Sequence, residues 1–474
     1  MTLKVHEIVN NISENQDLVS HFPADFIFGL STAAYQIEGA ASEGGRGPSI
    51  WDNFSHTKGL TRNGDNGDIA CDHYHRWESD FDLLKELGVS GYRFSLSWSR
   101  LQPLGDGPLN REAVDFYRKL LLGLRARNIK PLVTLYHWDL PQALEEQGGW
   151  PTREIAFKFA EYVALVLVEF GTLAQDWITI NEPWCVSFLG YGYGAHAPGK
   201  RNLPNAVAAA HHLNLAHGLA VRKFREISPS NKVGISNLIT DIHAATEATE
   251  DAQAVSRLDA VSNRLFLDPV YLGDYSLIVR NTLKDFDFES KIHDGDLEII
   301  ATPTDFVGIN HYQRVIAWAS PGEGAFELGE TPAPPATTAL GWSIIPDSLH
   351  DVLIRVSREY TKLPIYITES GACFEDYIDP NGEILDEARV SYFVDYLRAT
   401  GRAISEGVNL KGYFAWSFLD NFEWAEGYSK RFGLVYVDYR TQERIPKKSA
   451  KWYRKLVVDH RNLHQKKAQE RDEK

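Results

Sequence analysis

The chain has 474 residues, 43% hydrophobic and 24% charged, which is ordinary globular composition with enough apolar mass for a large core. Its 49 basic and 64 acidic residues leave a formal net charge of −15, which argues against nucleic acid or an anionic membrane as the main partner. The three cysteines, Cys71, Cys185 and Cys373, are too widely spaced for a metal-ligand pattern or a disulfide framework, and no apolar run approaches membrane-spanning length.

The stretch MTLKVHEIVNNISENQDLVS has no apolar segment of the secretory kind, so the expected address is cytoplasmic, and residues 1–21 read as a polar extension. The first strand is DFIFGLST. NGDNGDIACD, which follows, has acids near glycines but no closing bidentate glutamate, so it reads as an ordered loop and not a calcium site. The helical pattern RWESDFDLLKELG closes on Gly88, and the second strand is GYRFSLSW. In REAVDFYRKLLLGLRARN, Ala113, Phe116, Tyr117, Leu120, Leu121 and Leu124 recur at helical spacing. KPLVTLYHW is the third strand, and REIAFKFAEYVALVLVEFG is a helix with Gly171 expected as its C-cap. DWITINEP is the fourth strand. HHLNLAH lies in a helical pattern without a carboxylate at ligand spacing, so His211, His212 and His217 read as core. Strands five to eight are KVGISNLI, DFVGINHY, LPIYITES and LKGYFAWSF. Ala319 to Gly341, rich in proline and glycine, reads as a long loop over the mouth, and residues 462–474 as a charged, frayed tail.

Eight strand–helix repeats predict parallel strands joined by helical crossovers, and runs this apolar suit strands buried on both faces. The expected fold is α/β: a single (β/α)8 TIM barrel over residues 22–461, with long loops at its C-terminal face. A doubly wound sheet is the runner-up, but no glycine-rich phosphate turn follows the first strand.

Barrel active sites lie at the C-terminal ends of the strands. Gln36 follows the first strand, and Arg93 and Trp98 lie in and after the second. His137 and Trp138 close the third, and Asn181 and Glu182 the fourth. Asn310 and Tyr312 close the sixth, Glu369 the seventh and Trp416 the eighth, with Glu423 and Trp424 in the last loop. Amides and carboxylates pair with hydroxyls, and indole faces stack on pyranose rings. Glu182 and Glu369 end non-adjacent strands, so they can face each other across the mouth, as glycoside hydrolysis requires.

TINEPW and YITESG resemble the two catalytic motifs of glycoside hydrolase family 1, the β-glucosidases and their relatives. The other blocks of that family are resembled, in order, by DFIFGLSTAAYQIEGA, GYRFSLSWSRL, TLYHWDLPQAL, GYGYGAHAPG, GINHY, GWSIIPDSL and WSFLDNFEWAEGYSKRFGL, over about residues 22 to 457. The resemblance implies a retaining β-glycosidase acting on terminal β-glucosides and cello-oligosaccharides, with galactosides or fucosides as further candidates. It implies Glu369 as nucleophile, Glu182 as acid/base, and Arg93, Tyr312 and Asn310 as their catalytic supports. Gln36, His137, Trp138, Asn181, Glu423 and Trp424 are implied as glycone contacts, Trp416 as the stacking platform and Trp342 as an aromatic on the aglycone side. No metal or organic cofactor is implied, and a homo-oligomer is left open.

Two positions depart from the family pattern: Ser370 where asparagine usually follows the nucleophile, and His311 where tyrosine is common. Cys185 reads as a small apolar filler beside Glu182. Three alternatives are weighed. A sugar-binding barrel without turnover should lack one carboxylate, and an S-glycosidase should lack Glu182. In a 6-phospho-β-glycosidase the Glu423 position should be changed; an ionised Glu423 is expected to repel a sugar phosphate, with Lys430 the nearest candidate counter-charge.

Overall fold

The structure, a computed structural model, describes residue 15, residues 17–335 and residues 337–472. Eight parallel strands close into a barrel. They are β1 (Ile27–Ser31), β2 (Gly91–Ser95), β3 (Lys130–Tyr136), β4 (Asp176–Asn181), β5 (Lys232–Leu238), β6 (Val307–Asn310), β7 (Ile365–Ser370) and β8 (Leu410–Trp416). Each predicted strand is present, and each pairs with its neighbours in sequence. Closure comes from β1, where Leu30 pairs with Tyr92 of β2 on one side and Ala415 of β8 on the other.

The main crossover helices are α1 (His73–Leu87), α2 (Arg111–Ala126), α3 (Glu154–Phe170), α4 (Leu203–Ile227), α5 (Thr249–Asp259), α6 (Pro346–Glu359), α7 (Glu387–Ser405) and α8 (Lys448–Asp472). The predicted apolar stripe of α2 is buried against the barrel, and its Asn110 cap accepts from the Glu112 amide. α1 ends at Gly88 with φ +75°, where glycine carries no Cβ penalty. Gly171 is the C-cap of α3, as expected, and its amide donates to the Leu167 carbonyl, but its φ of −57° is an ordinary helical value. Its smallness serves space instead, since a Cβ there would lie 2.5 Å from Ser228 Oγ.

Inside the barrel, Leu132, Ile178, Phe306, Tyr366 and Phe414 form a plug, with Ile27 packed against it. That plug fills the interior, so the open space lies at the strand C-termini.

Several expectations about the periphery change. The segment from Ala319 to Gly341 is not all loop. Strands Arg314–Ala319 and Leu328–Pro332 form a hairpin, joined in parallel to Asp241–Ala244. It is tied to α5, where Asp251 accepts from the Ala319 amide and Arg257 donates to the carbonyls of Phe326 and Glu327. Residues 462–472 continue α8 and do not stand apart as a frayed tail. Of the proposed N-terminal extension, residues 1–14 and 16 lie outside the described residues; residues 17–20 are helical, with Leu18 and Val19 buried.

A buried ionic cluster joins the loops after β7 and β8 to the start of α8. Lys447 donates to Asp376 at 2.6 Å and Asp420 at 2.7 Å. Arg389 pairs with Asp376 and Asp386, Arg431 pairs with Asp420, and Asp386 receives the Ser449 amide. Among the described residues no helix is long and apolar enough to cross a membrane.

Candidate active site

A cavity of about 400 Å³ opens at the C-terminal ends of the strands. His137, Trp138, Glu182, Tyr312, Trp342, Glu369, Trp416, Glu423 and Trp424 line it. Gln36, Arg93, Asn181 and Asn310 lie just beneath, fully buried and bonded to the lining residues or their loops. Apart from Trp98, the sequence-predicted site residues are thus brought together. Trp98 stacks on Tyr162 in the outer core and donates to Gln102.

Glu369, at the end of β7, is held from both sides. Arg93 of β2 donates to its Oε1 in a buried ion pair, and Tyr312 donates to its Oε2 at 2.6 Å. Burial and the Glu369 charge push the Tyr312 hydroxyl well above its ordinary pKa, so it remains a donor. Gly371 follows in a turn where a Cβ would overlap the Trp416 carbonyl. β7 and β8 therefore approach closely at the mouth.

Glu182 sits with φ +48°, just beyond β4. Trp138 and Trp424 also have positive φ, at 78° and 52°. Three non-glycine residues in left-handed backbone around one cavity mark local strain of the kind that collects at working sites. Asn310 donates to Glu182 Oε1 at 2.6 Å and to Asn181 Oδ1 at 3.0 Å. The Asn310 amide has one sensible orientation: Arg93 donates to Asn181 Oδ1, so the Asn310 atom facing that oxygen is the N–H donor, and its own Oδ1 accepts from Thr368 Oγ1 at 2.7 Å. Thr368 accepts in turn from Ser236 at 2.9 Å. Arg93 also reaches Asn181 Oδ1 at 2.5 Å, so one guanidinium ties β2, β4 and β7 together.

The protonation states differ. Burial, then the nearby Glu369 charge, pushes Glu182 up to about 8. Burial, then the Glu369 charge, likewise pushes Glu423 up to about 8. At neutral pH the cavity thus has one carboxylate in an ion pair and two carboxyls that hold protons. His137 is kept neutral by burial and by Arg93. Its ring lies nearly parallel to Trp416 and Trp424, both centroids 6.0 Å away. His137 Nδ1 and Gln36 Oε1 are buried without a protein partner, which leaves them available for ligand hydroxyls.

Sequence reasoning missed several groups. Ser236 and Thr368 orient Asn310 from below, which follows only from the barrel register. Trp184 and His196 line the cavity beside Glu182 and Trp138. Cys185 is more than a filler: its Sγ donates to Glu182 Oε2 at 3.1 Å. The two departures point away from the cavity chemistry. Ser370 hydrogen-bonds Tyr392 at 3.0 Å, and His311 is bonded to the Ile239 carbonyl and Ser348. Lys430 donates to the Ala339 carbonyl at 2.6 Å, so it is engaged there.

His211 contacts Tyr275 and Asp296, His212 the Trp150 carbonyl, and His217 Thr179, all core roles. Among the described residues one trio, Asp241, His243 and Asp351, has ligand atoms within 4.8 Å of one another. Arg314 already pairs with both acids, which leaves little need for a metal ion.

Residues 18–462 match the family model described as Glycosyl hydrolase family 1. Beta-glucosidase A of Thermotoga maritima is 45% identical over 441 residues, covering 93% of this chain and 98% of the relative. A bifunctional beta-D-glucosidase/beta-D-fucosidase of Bifidobacterium breve is 44% identical over 462 residues, covering 93% and 98%. Among solved structures, the Thermotoga maritima beta-glucosidase in complex with deoxynojirimycin superposes with a TM-score of 0.90 at 45% identity, covering 93% of this chain and 99% of that one.

Proposed function

Because the chain belongs to glycosyl hydrolase family 1 and is a β-glucosidase, we propose that it acts by double displacement, with Glu369 as nucleophile and Glu182 as acid and base. The observation that carries this reading is the contrasting support of two carboxyls in one buried cavity. Glu369 is ion-paired with Arg93, whereas Glu182 is pushed up to about 8 and keeps its proton at neutral pH.

In the first step a Glu369 oxygen attacks the anomeric carbon as the bond to the leaving oxygen breaks. Glu182 gives its proton to that oxygen. The Glu369 charge is consumed in the new ester bond, which removes the second-largest cause of the raised Glu182 pKa. Glu182 is then a carboxylate fit to take a proton from water. The water attacks the same carbon from the leaving-group side, the ester bond breaks and Glu369 regains its charge. Arg93 and Tyr312 hold Glu369 in place throughout. Gln36, His137, Asn181, Glu423 and Trp424 hold the sugar hydroxyls, with Trp416 as the stacking face and Trp138 and Trp342 along the walls.

The substrates on this reading are terminal β-glucosides and cello-oligosaccharides, with β-fucosides added by likeness to the Bifidobacterium breve enzyme. The buried free thiols suit a reducing, cytoplasmic setting.

Two outcomes are expected. Proton NMR early in hydrolysis should show β-glucose appearing before mutarotation, and α-glucose first would contradict the retaining mechanism. Glu182→Gln should remove the basic limb of the pH profile. It should slow alkyl β-glucosides about a hundred- to ten-thousandfold, while glycosylation by 2,4-dinitrophenyl β-glucoside, whose leaving group needs no proton, is largely spared. A variant with the wild-type basic limb would show that Glu182 is not the acid.

A further inference from the structure

We infer that Cys185 is a positioning residue for proton transfer, holding the one oxygen of Glu182 that gives and takes the proton. The inference deepens the reading of Glu182 as acid and base, and rests on it.

Cys185 begins the helical segment Cys185–Gly192 and lines the cavity. It stands three residues after Glu182, where the chain turns from the end of β4 into this segment. Its Sγ is 3.1 Å from Glu182 Oε2 and donates to it. The other oxygen, Oε1, accepts from Asn310 Nδ2 at 2.6 Å. An amide N–H only donates, and Asn181 Oδ1, itself fixed as an acceptor by Arg93, keeps the Asn310 amide from turning over. Oε1 is therefore the oxygen that stays unprotonated, and Oε2 carries the acidic proton. The thiol touches the atom where the proton is exchanged.

A thiol suits both half-reactions. S–H is a weak donor and sulfur a weak acceptor. The contact favours the ionised form of Glu182 only slightly, so burial and Glu369 still keep the proton in place before the first step. In the second step it leaves the carboxylate oxygen with a protein partner. A stronger donor would bias the group toward its ionised state too early, and no donor would leave Oε2 unsupported. The thiol does not compete as a nucleophile, because burial and the Glu182 charge push its pKa well above the ordinary range. Cys71 makes a comparable contact only with the Asp420 carbonyl, away from any titrating group of the mechanism.

Around Glu182 stand Glu369 from β7, Arg93 from β2, Tyr312 after β6 and Glu423 after β8, with the neutral imidazoles of His137 and His196 in the wall. Substituting Cys185 leaves all of these in place, so a change in titration reports the thiol.

The test compares the basic limb of kcat/KM against pH for the native enzyme, Cys185→Ala and Cys185→Ser, with 4-nitrophenyl β-glucoside as substrate. Loss of the donor in Cys185→Ala should move the limb upward by about half a unit to one unit. The stronger hydroxyl donor of Cys185→Ser should move it downward. A filler role would change the melting temperature, or lower kcat/KM equally at every pH, and leave the limb where it was. Coincident limbs, or the reverse order, would overturn the inference. Should Cys185→Ala fail to fold, the serine variant decides alone: a limb at or above the native position overturns it. Glu182→Gln separates the two failures. If that variant keeps the basic limb, the reading of Glu182 itself falls. If it loses the limb while the Cys185 variants leave theirs unmoved, only the role of Cys185 falls.

Discussion

Glu369→Gly is expected to lose about five orders of magnitude in turnover of aryl β-glucosides. Azide or formate should then restore cleavage with α-configured products. The expectation follows from how Glu369 is held. Its two oxygens face Arg93 and Tyr312, and neither partner can attack carbon. Removing the carboxylate leaves a space of about its own size beside a buried guanidinium, which is suited to a small anion. Such an anion approaches from the nucleophile's side, while Glu182 still protonates the leaving group. One displacement then replaces two, and the configuration inverts. Glycosyl azide of β configuration, or a variant with near-native turnover, would remove Glu369 from its role.

The second large effect concerns charge on the substrate. 6-Phospho-β-glucosides should be hydrolysed about a thousandfold less efficiently than the plain glucosides. Simple repulsion by an ionised Glu423 does not explain this, since that carboxyl is pushed up to about 8 and holds its proton at neutral pH. The cost comes from desolvation. A phosphate carries nearly two charges, and burying an ion without a partner costs several kcal/mol, of which about 4 kcal/mol would already be a thousandfold. Arg93 is committed to Glu369 and Asn181, and Lys430 to the Ala339 carbonyl. Raising the pH through about 8 ionises Glu423 and adds true repulsion, so the preference for the plain glucoside should widen there. Competing the two nitrophenyl substrates across this range checks both points. Equal rates would mean that the cavity contains a phosphate partner.

The barrel was legible because a strand buried on both faces must be a short apolar run, and each of the eight is one. The carboxylate motifs were legible only together: Glu182 and Glu369 each end such a run, where a lone glutamate could be a solvated strand end, and the surrounding blocks that resemble the family singled them out. The hairpin of Arg314–Ala319 and Leu328–Pro332 was not, because its strands are only partly buried and are fixed by pairing with Asp241–Ala244, some 70 residues earlier in the chain. Nor could one strand reveal the support of Asn310. Ser236, Thr368 and Asn310 come from β5, β7 and β6, and only the register of the closed barrel stacks them. The protonation of Glu423 was invisible for the same kind of reason. It depends on the Glu369 charge in the same cavity and on the water excluded from both.

The ionic cluster around Lys447 has a consequence for how the enzyme comes into being. Asp376 lies in the loop after β7, and Asp420 in the loop that leads to Glu423; both turn to Lys447, just before α8. The first strand is equally late to be satisfied, since β1 waits for β8 to close the barrel and for Tyr453 to reach the Gly29 carbonyl. During synthesis on the ribosome, which proceeds from the N-terminus, these contacts become available only after β8 and α8 have been made. A nascent chain thus already holds both carboxylates and most of the aromatic wall, yet has no cavity in which to use them. The cavity is completed only when α8 docks.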